Sequence, residues 1–153
     1  MLEILTPLNK CERVSRAIDP AVFVAAPGIW AQVQADGSLL NVLNTVKALV
    51  NKLVIGSASA DKYESHDVEV GRITTMESHG IRVKVDSAGY AGTINLGDFL
   101  LVSSDTASLG KLITLATAAS TGVYEYVARA EEVSTAAGYV IYRTISPVLI
   151  TKS

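Results

Sequence analysis

The sequence predicts an all-β fold: a compact β-sandwich or barrel-like domain, residues 21–153, preceded by an extended N-terminal arm, residues 1–20. Three observations carry this. Turn-forming clusters recur about every 8–12 residues from Ile29 onward, the rhythm of short strands rather than of βαβ units. Between them, side chains alternate with a period of two, most cleanly in "IRVKVD" at 81–86, where Ile81, Val83 and Val85 point one way and Arg82, Lys84 and Asp86 the other. At the front of the chain, Pro7, Pro20 and Pro27 forbid a helix and favour extended or turn geometry.

The elements follow in order. In the arm, Leu2, Ile4 and Leu5 form an apolar cluster before Pro7 with no regular element of their own, which predicts a segment that is mobile until it meets a partner. Arg13 and Arg16 on the same stretch are suited to acidic groups on that partner. Ile29 to Val33 alternates as a strand, and "ADGSL" at 35–39 is a hairpin turn leading into residues 39–42. Residues 44–51 fit a short helix or irregular turn, followed by a strand at 52–55 that ends at Gly56. "GSASADKYES" at 56–65 is a surface loop by its small and polar residues. "HDVEVGRITTME" and "IRVKVD" read as strands with one wet face. Further strands are expected at 123–130 and 139–146, with Pro147 ending or edging the last before "VLITK".

The stretch "NLGDFLLVSSDTASLGKLITLA", 95–116, stands apart. It reads as two strands whose alternation has collapsed into apolar runs, so both faces want burial. Our assignment puts Phe99, Leu101, Ile113 and Leu115 in the subunit core and Leu100, Val102 and Leu112 at a subunit interface. Tyr124 and Tyr126 share one face of the following strand and are assigned to the same interface, with Ala128 and Ala130 continuing that face.

Composition narrows the function. The chain is 49% hydrophobic and 18% charged, more apolar than a lone domain of 153 residues needs, which reserves surface for a partner. A formal charge of −2 offers no basic field for nucleic acid. No apolar run approaches the ~20 residues of a membrane-spanning helix, and "MLEILTPLNK" lacks the pattern of a secretory signal. The one cysteine, Cys11, excludes an internal disulfide and reads as a small, partly buried apolar residue.

Catalytic signatures are missing: there is no G-x-S-x-G elbow, phosphate-binding glycine loop or dinucleotide fingerprint. The best metal candidate is "YESHDVEV" with Glu64, His66, Asp67 and Glu69, joined by Glu77 and His79 a strand away. Successive residues of a strand point to opposite faces, so Glu64 and His66 share one face and Asp67 and Glu69 the other, and the four cannot converge from one segment. We therefore expect no metal, no other cofactor and no enzymatic activity.

The order of pieces from Trp30 onward resembles the capsid decoration, or cement, proteins of tailed bacteriophages. The matching features are Gly97 and Asp98 opening a strand, Gly110 and Lys111 beginning the next, Gly122, and the stretch from Val127 to Glu131 before a closing strand. The resemblance implies a structural virion protein made in the host cytoplasm and bound to the outer surface of the head. There it would stabilise contacts between subunits of the major capsid protein, as a homotrimer, with Leu2, Ile4, Leu5, Arg13 and Arg16 in the arm meeting the capsid. Nucleic acid and membrane are not expected partners. The alternative is another β-rich virion component, a tail or fibre module; a small-ligand enzyme is the remotest reading.

Overall fold

A computed structural model describes residues 2–17, 27–40, 50–56 and 72–153, and these form two antiparallel sheets packed face to face. The strands are β1 (Leu2–Ile4), β2 (Arg13–Ala17), β3 (Trp30–Val33), β4 (Leu39–Leu40), β5 (Asn51–Gly56), β6 (Arg72–Met76), β7 (Arg82–Asp86), β8 (Phe99–Val102), β9 (Leu112–Ile113), β10 (Gly122–Ser134) and β11 (Tyr139–Lys152). One sheet runs β1-β7-β11-β10-β8-β9 and the other β2-β6-β5-β3-β4. The all-β expectation holds. The short helix or turn at 44–51 lies outside the described residues except for Val50 and Asn51, as do the loop at 57–65 and the first half of "HDVEVGRITTME".

Alternation decides what each sheet turns inward. Val83 and Val85 of β7, Val140 and Tyr142 of β11, and Leu100 and Val102 of β8 meet Trp30, Leu53, Ile55 and Met76 from the other sheet in one buried cluster. Tyr142 is fully buried there, and burial pushes its phenol well above the usual tyrosine range. The turn "ADGS" closes the β3–β4 hairpin as expected. Asp36 accepts hydrogen bonds from the Ser38 N–H and hydroxyl at 3.0 and 2.6 Å, and Gly37 takes φ +86°, a conformation open to glycine.

The N-terminal segment is corrected by this structure. Leu2–Ile4 is a strand at the edge of the six-stranded sheet, with Leu2 opposite Val85 and Ile4 opposite Val83. Both side chains pack against the inter-sheet core, and the Leu5 N–H donates to the Arg82 carbonyl at 2.9 Å. Farther along, Arg13–Ala17 is an edge strand of the other sheet, paired with β6. What reads as an arm in sequence therefore contributes one strand to each layer, because β7 and β6 offer open edges that satisfy its backbone.

The apolar hairpin is also corrected. Leu100, Val102 and Leu112 are 0%, 2% and 0% exposed and point between the sheets, so they are core rather than interface. Leu101 and Ile113 point outward, where they are buried with Tyr124 and Ala118 in a second cluster, and Phe99 is 50% exposed. The two faces are the reverse of the sequence assignment.

An irregularity in β10 at Val127 explains why Ala128 and Ala130 do not continue the tyrosine face. Tyr126 pairs with Leu101, but Ala128 pairs with Leu100, so Val127 is an extra residue against β8 and the alternation flips. Tyr124 and Tyr126 lie on the outer face; Val127, Ala128 and Ala130 lie in the core. Across β11 the register passes from Tyr126↔Val148 to Ala128↔Thr144, leaving Ile145, Ser146 and Pro147 opposite Val127. Pro147 thus sits in a bulge, where its missing N–H breaks no ladder, and β11 runs through it to Lys152 instead of ending there.

Candidate interaction surface

The outer face of the five-stranded sheet carries a half-buried polar network. Arg16 donates from Nε to Thr75 Oγ1 at 3.1 Å, from one terminal nitrogen to the Gly37 carbonyl at 3.1 Å and from the other to Glu77 at 2.7 Å. Lys52 approaches the second oxygen of Glu77 at 3.2 Å. Arg16 is therefore held within its own chain by β6 and the β3–β4 turn, and Arg13 is likewise engaged. Neither is the free arm cation that the sequence suggested.

Burial pushes the Glu77 carboxyl up, but hydrogen bonds from Arg16, Thr75 and Lys52 outweigh it and hold the group below its ordinary value of 4.5. A carboxyl depressed in the folded state stabilises above its unfolded pKa, and that contribution is lost as pH falls through the folded value. Urea melts as pH is lowered below 4.5 are expected to show a steeper loss for the native chain than for Glu77→Gln, which is also the less stable of the two at neutral pH. Equal slopes would show that the network adds nothing.

At one end of the sandwich, Glu125 of β10 is buried and accepts the N–H groups of Val50 at 3.0 Å and Asn51 at 3.2 Å. Val50 has φ +61°, which is strained for a β-branched residue, and its carbonyl accepts the Val33 N–H at 3.0 Å. The carboxylate thus fixes the entry into β5 and ties the two sheets together. The strain is held by the three hydrogen bonds around it.

The outer face of the six-stranded sheet is covered in part by the loop from Thr114 to Thr121. Tyr124 donates its hydroxyl to the Ser120 carbonyl at 2.7 Å, the Ala119 N–H donates to Asp105 at 3.1 Å, and Lys152 donates to the carbonyls of Leu115 and Ala118. Leu101, Ile113 and Tyr124 are sealed beneath it. Tyr126 is only partly buried, and its ring lies 5.7 Å from that of Phe99. Beside this pair is an open groove of ≈ 510 Å³ between the β8 entry and the covering loop.

Beyond the bulge, β10 and β11 form a ribbon. β7 pairs with β11 from Tyr139 to Arg143, and Gly80 and Ile81 bond to Thr144; among the described residues no strand pairs with Val148–Lys152 on that side. Val148 is 55% and Leu149 57% exposed, on opposite faces of this free edge. Val50, 51% exposed, lies near Leu149 across Glu125. An unpaired edge flanked by apolar side chains offers backbone hydrogen bonds and apolar contact together, the chemistry of strand addition.

Of the residues assigned in sequence, Tyr126 alone lies on this exposed surface. Leu100, Val102 and Leu112 are in the core, Tyr124 is under the covering loop, and Leu2, Ile4 and Leu5 are half-buried. Val148 and Leu149 went unassigned, although the apolar run "VLI" directly after Pro147 was the available signal.

His79 is exposed, whereas Glu64, His66, Asp67 and Glu69 lie outside the described residues. Among the described residues no cluster of three or more potential metal ligands occurs, and no helix is long and apolar enough to cross a membrane. Comparison with known proteins finds no protein family, no curated protein and no solved structure that matches this chain.

Proposed function

We propose that this chain is a structural protein of the capsid-decoration kind, which self-associates as a trimer on the outer surface of a phage head and stabilises contacts between major capsid subunits. It acts by binding rather than by chemistry, and its place is the assembled virion. The observation that supports the reading most is the β10–β11 ribbon, where Val148 and Leu149 are exposed on an edge that no strand among the described residues pairs with. In this reading the contact role expected of the N-terminal segment passes to the ribbon, because Leu2, Ile4 and Arg16 are engaged within the chain.

Leu149→Glu tests it. Leu149 is exposed but stands opposite Glu125, so Leu149→Gln, which removes the apolar contact without setting a second carboxylate there, is measured beside it to separate loss of contact from like-charge repulsion. Sedimentation is expected to show loss of the trimer, and binding to heads stripped of decoration is expected to fall at least tenfold, the effect of about 1.4 kcal/mol. A variant that remains trimeric and binds heads normally removes the ribbon from the interface. Binding of the native chain to tails instead of heads would favour a tail or fibre module.

A further inference from the structure

The geometry points to the groove beside Phe99 and Tyr126 as a binding site for a neutral saccharide, a role separate from the ribbon contact. Its apolar wall is the exposed half of Phe99 with Tyr126 and Leu115; its polar rim carries Thr93, Asn95 and Asp98. The groove is open, and its ≈ 510 Å³ would seat a sugar ring along one face rather than enclose it. A pyranose ring presents the same division, with C–H groups on its faces and hydroxyls around its rim.

Charge and hydrogen bonding narrow the ligand. Asp98 is the one ionisable side chain in the wall besides the Tyr126 phenol; one of its oxygens accepts the Asn95 N–H at 2.8 Å, which fixes the carboxylate in place. The neighbouring cation, Arg129, is engaged on the chain itself: its guanidinium lies over the Phe99 ring at 5.6 Å and its Nε donates to the Gly97 carbonyl at 3.2 Å. Arg129 does not line the groove, so the full charge a ligand meets in the wall is the Asp98 carboxylate, which suits hydroxyl donors better than anions. The site is also braced. Phe99 is packed between Arg129 and Tyr126, and the opposite lip is pinned by the Thr114–Thr117 hydroxyl pair at 3.0 Å and by Lys152 on the Leu115 carbonyl at 3.1 Å. Aromatic side chains held in place before the ligand arrives lose little freedom on binding.

The test is amide chemical-shift mapping of the isolated chain titrated with maltotriose, cellotriose and triacetylchitotriose. At least one should give saturable shifts at Asn95, Phe99, Leu115 and Tyr126 with Kd on the order of 1 mM. Phe99→Ala, which keeps the fold, should weaken that binding about tenfold or more, while Tyr126→Phe, which removes only the hydroxyl, should weaken it less. Absence of saturable shifts with all three sugars overturns the inference, as does binding that survives Phe99→Ala unchanged. Leu149→Glu separates the two proposals, since it should disturb the trimer and leave the sugar shifts intact. If Phe99→Ala alters sedimentation and no sugar binds, the groove is a contact between copies and the saccharide reading fails.

Discussion

Leu100→Ala is expected to destabilise the folded chain by about 2–5 kcal/mol, the cost of a core cavity, whereas Phe99→Ala next to it costs about 0.5–1.5 kcal/mol, the worth of an aromatic contact. Leu100 is 0% exposed between the sheets; Phe99 is 50% exposed on the outer face. The strand partner of Leu100, Ala128, is buried and too small to fill the gap. Leu100→Asp goes further, burying a carboxylate among apolar groups, and should yield no folded chain at all. Urea denaturation followed by far-ultraviolet circular dichroism reads all three. If Leu100→Asp folded and lost only its oligomeric state, the residue would belong to an interface, and the packing of β8 given above would be wrong.

Among the glycines of the described residues, Gly110→Ala is expected to be the costliest single-methyl addition, at about 2–6 kcal/mol from backbone strain and overpacking together. Gly110 has φ +79°, and a Cβ there would lie 2.3 Å from Ile29 Cγ2 and 2.7 Å from the Trp30 carbonyl oxygen. The carbonyl of Gly110 accepts the Trp30 N–H at 2.8 Å, while its own N–H donates to Ser103 at 2.9 Å. The glycine thus lets the β8–β9 loop touch β3 of the opposite sheet, and the methyl group would push the sheets apart where they are hydrogen-bonded to each other. Gly138→Ala is the control: its φ is +70°, but nothing lies within 4 Å of the added atom. It bears the backbone cost alone, so its melting midpoint should fall between the native chain and Gly110→Ala. Equal midpoints for the two variants would show that the close approach at Gly110 is relieved without cost.

The local sequence was enough for the all-β fold, the "IRVKVD" strand with Val83 and Val85 inward, and the "ADGS" hairpin, because a period of two and turn chemistry are properties of a few adjacent residues. Its expectation that the hairpin from 98 to 115 is buried on both faces is met at Leu101 and Ile113 but not at Phe99, which is half exposed. The local sequence did not show which face was which. A run such as "FLLV" has no polar side to orient it, so only the opposite sheet could place Leu100 and Val102 inward and send Leu101 under the 114–121 loop. The extra residue at Val127 likewise turns Tyr126 and Ala128 to opposite faces, and a bulge depends on the register of the strands on either side. Leu2 and Ile4 looked unpartnered because β7, which pairs with them, lies about eighty residues later in the chain. Pro147 looked like an end because a proline breaks a ladder unless a bulge receives it, as Ile145–Pro147 do opposite Val127. Periodicity along the chain fixed which segments became strands; pairing between distant edges fixed which side of each strand was buried and left the end of β11 without a partner strand among the described residues.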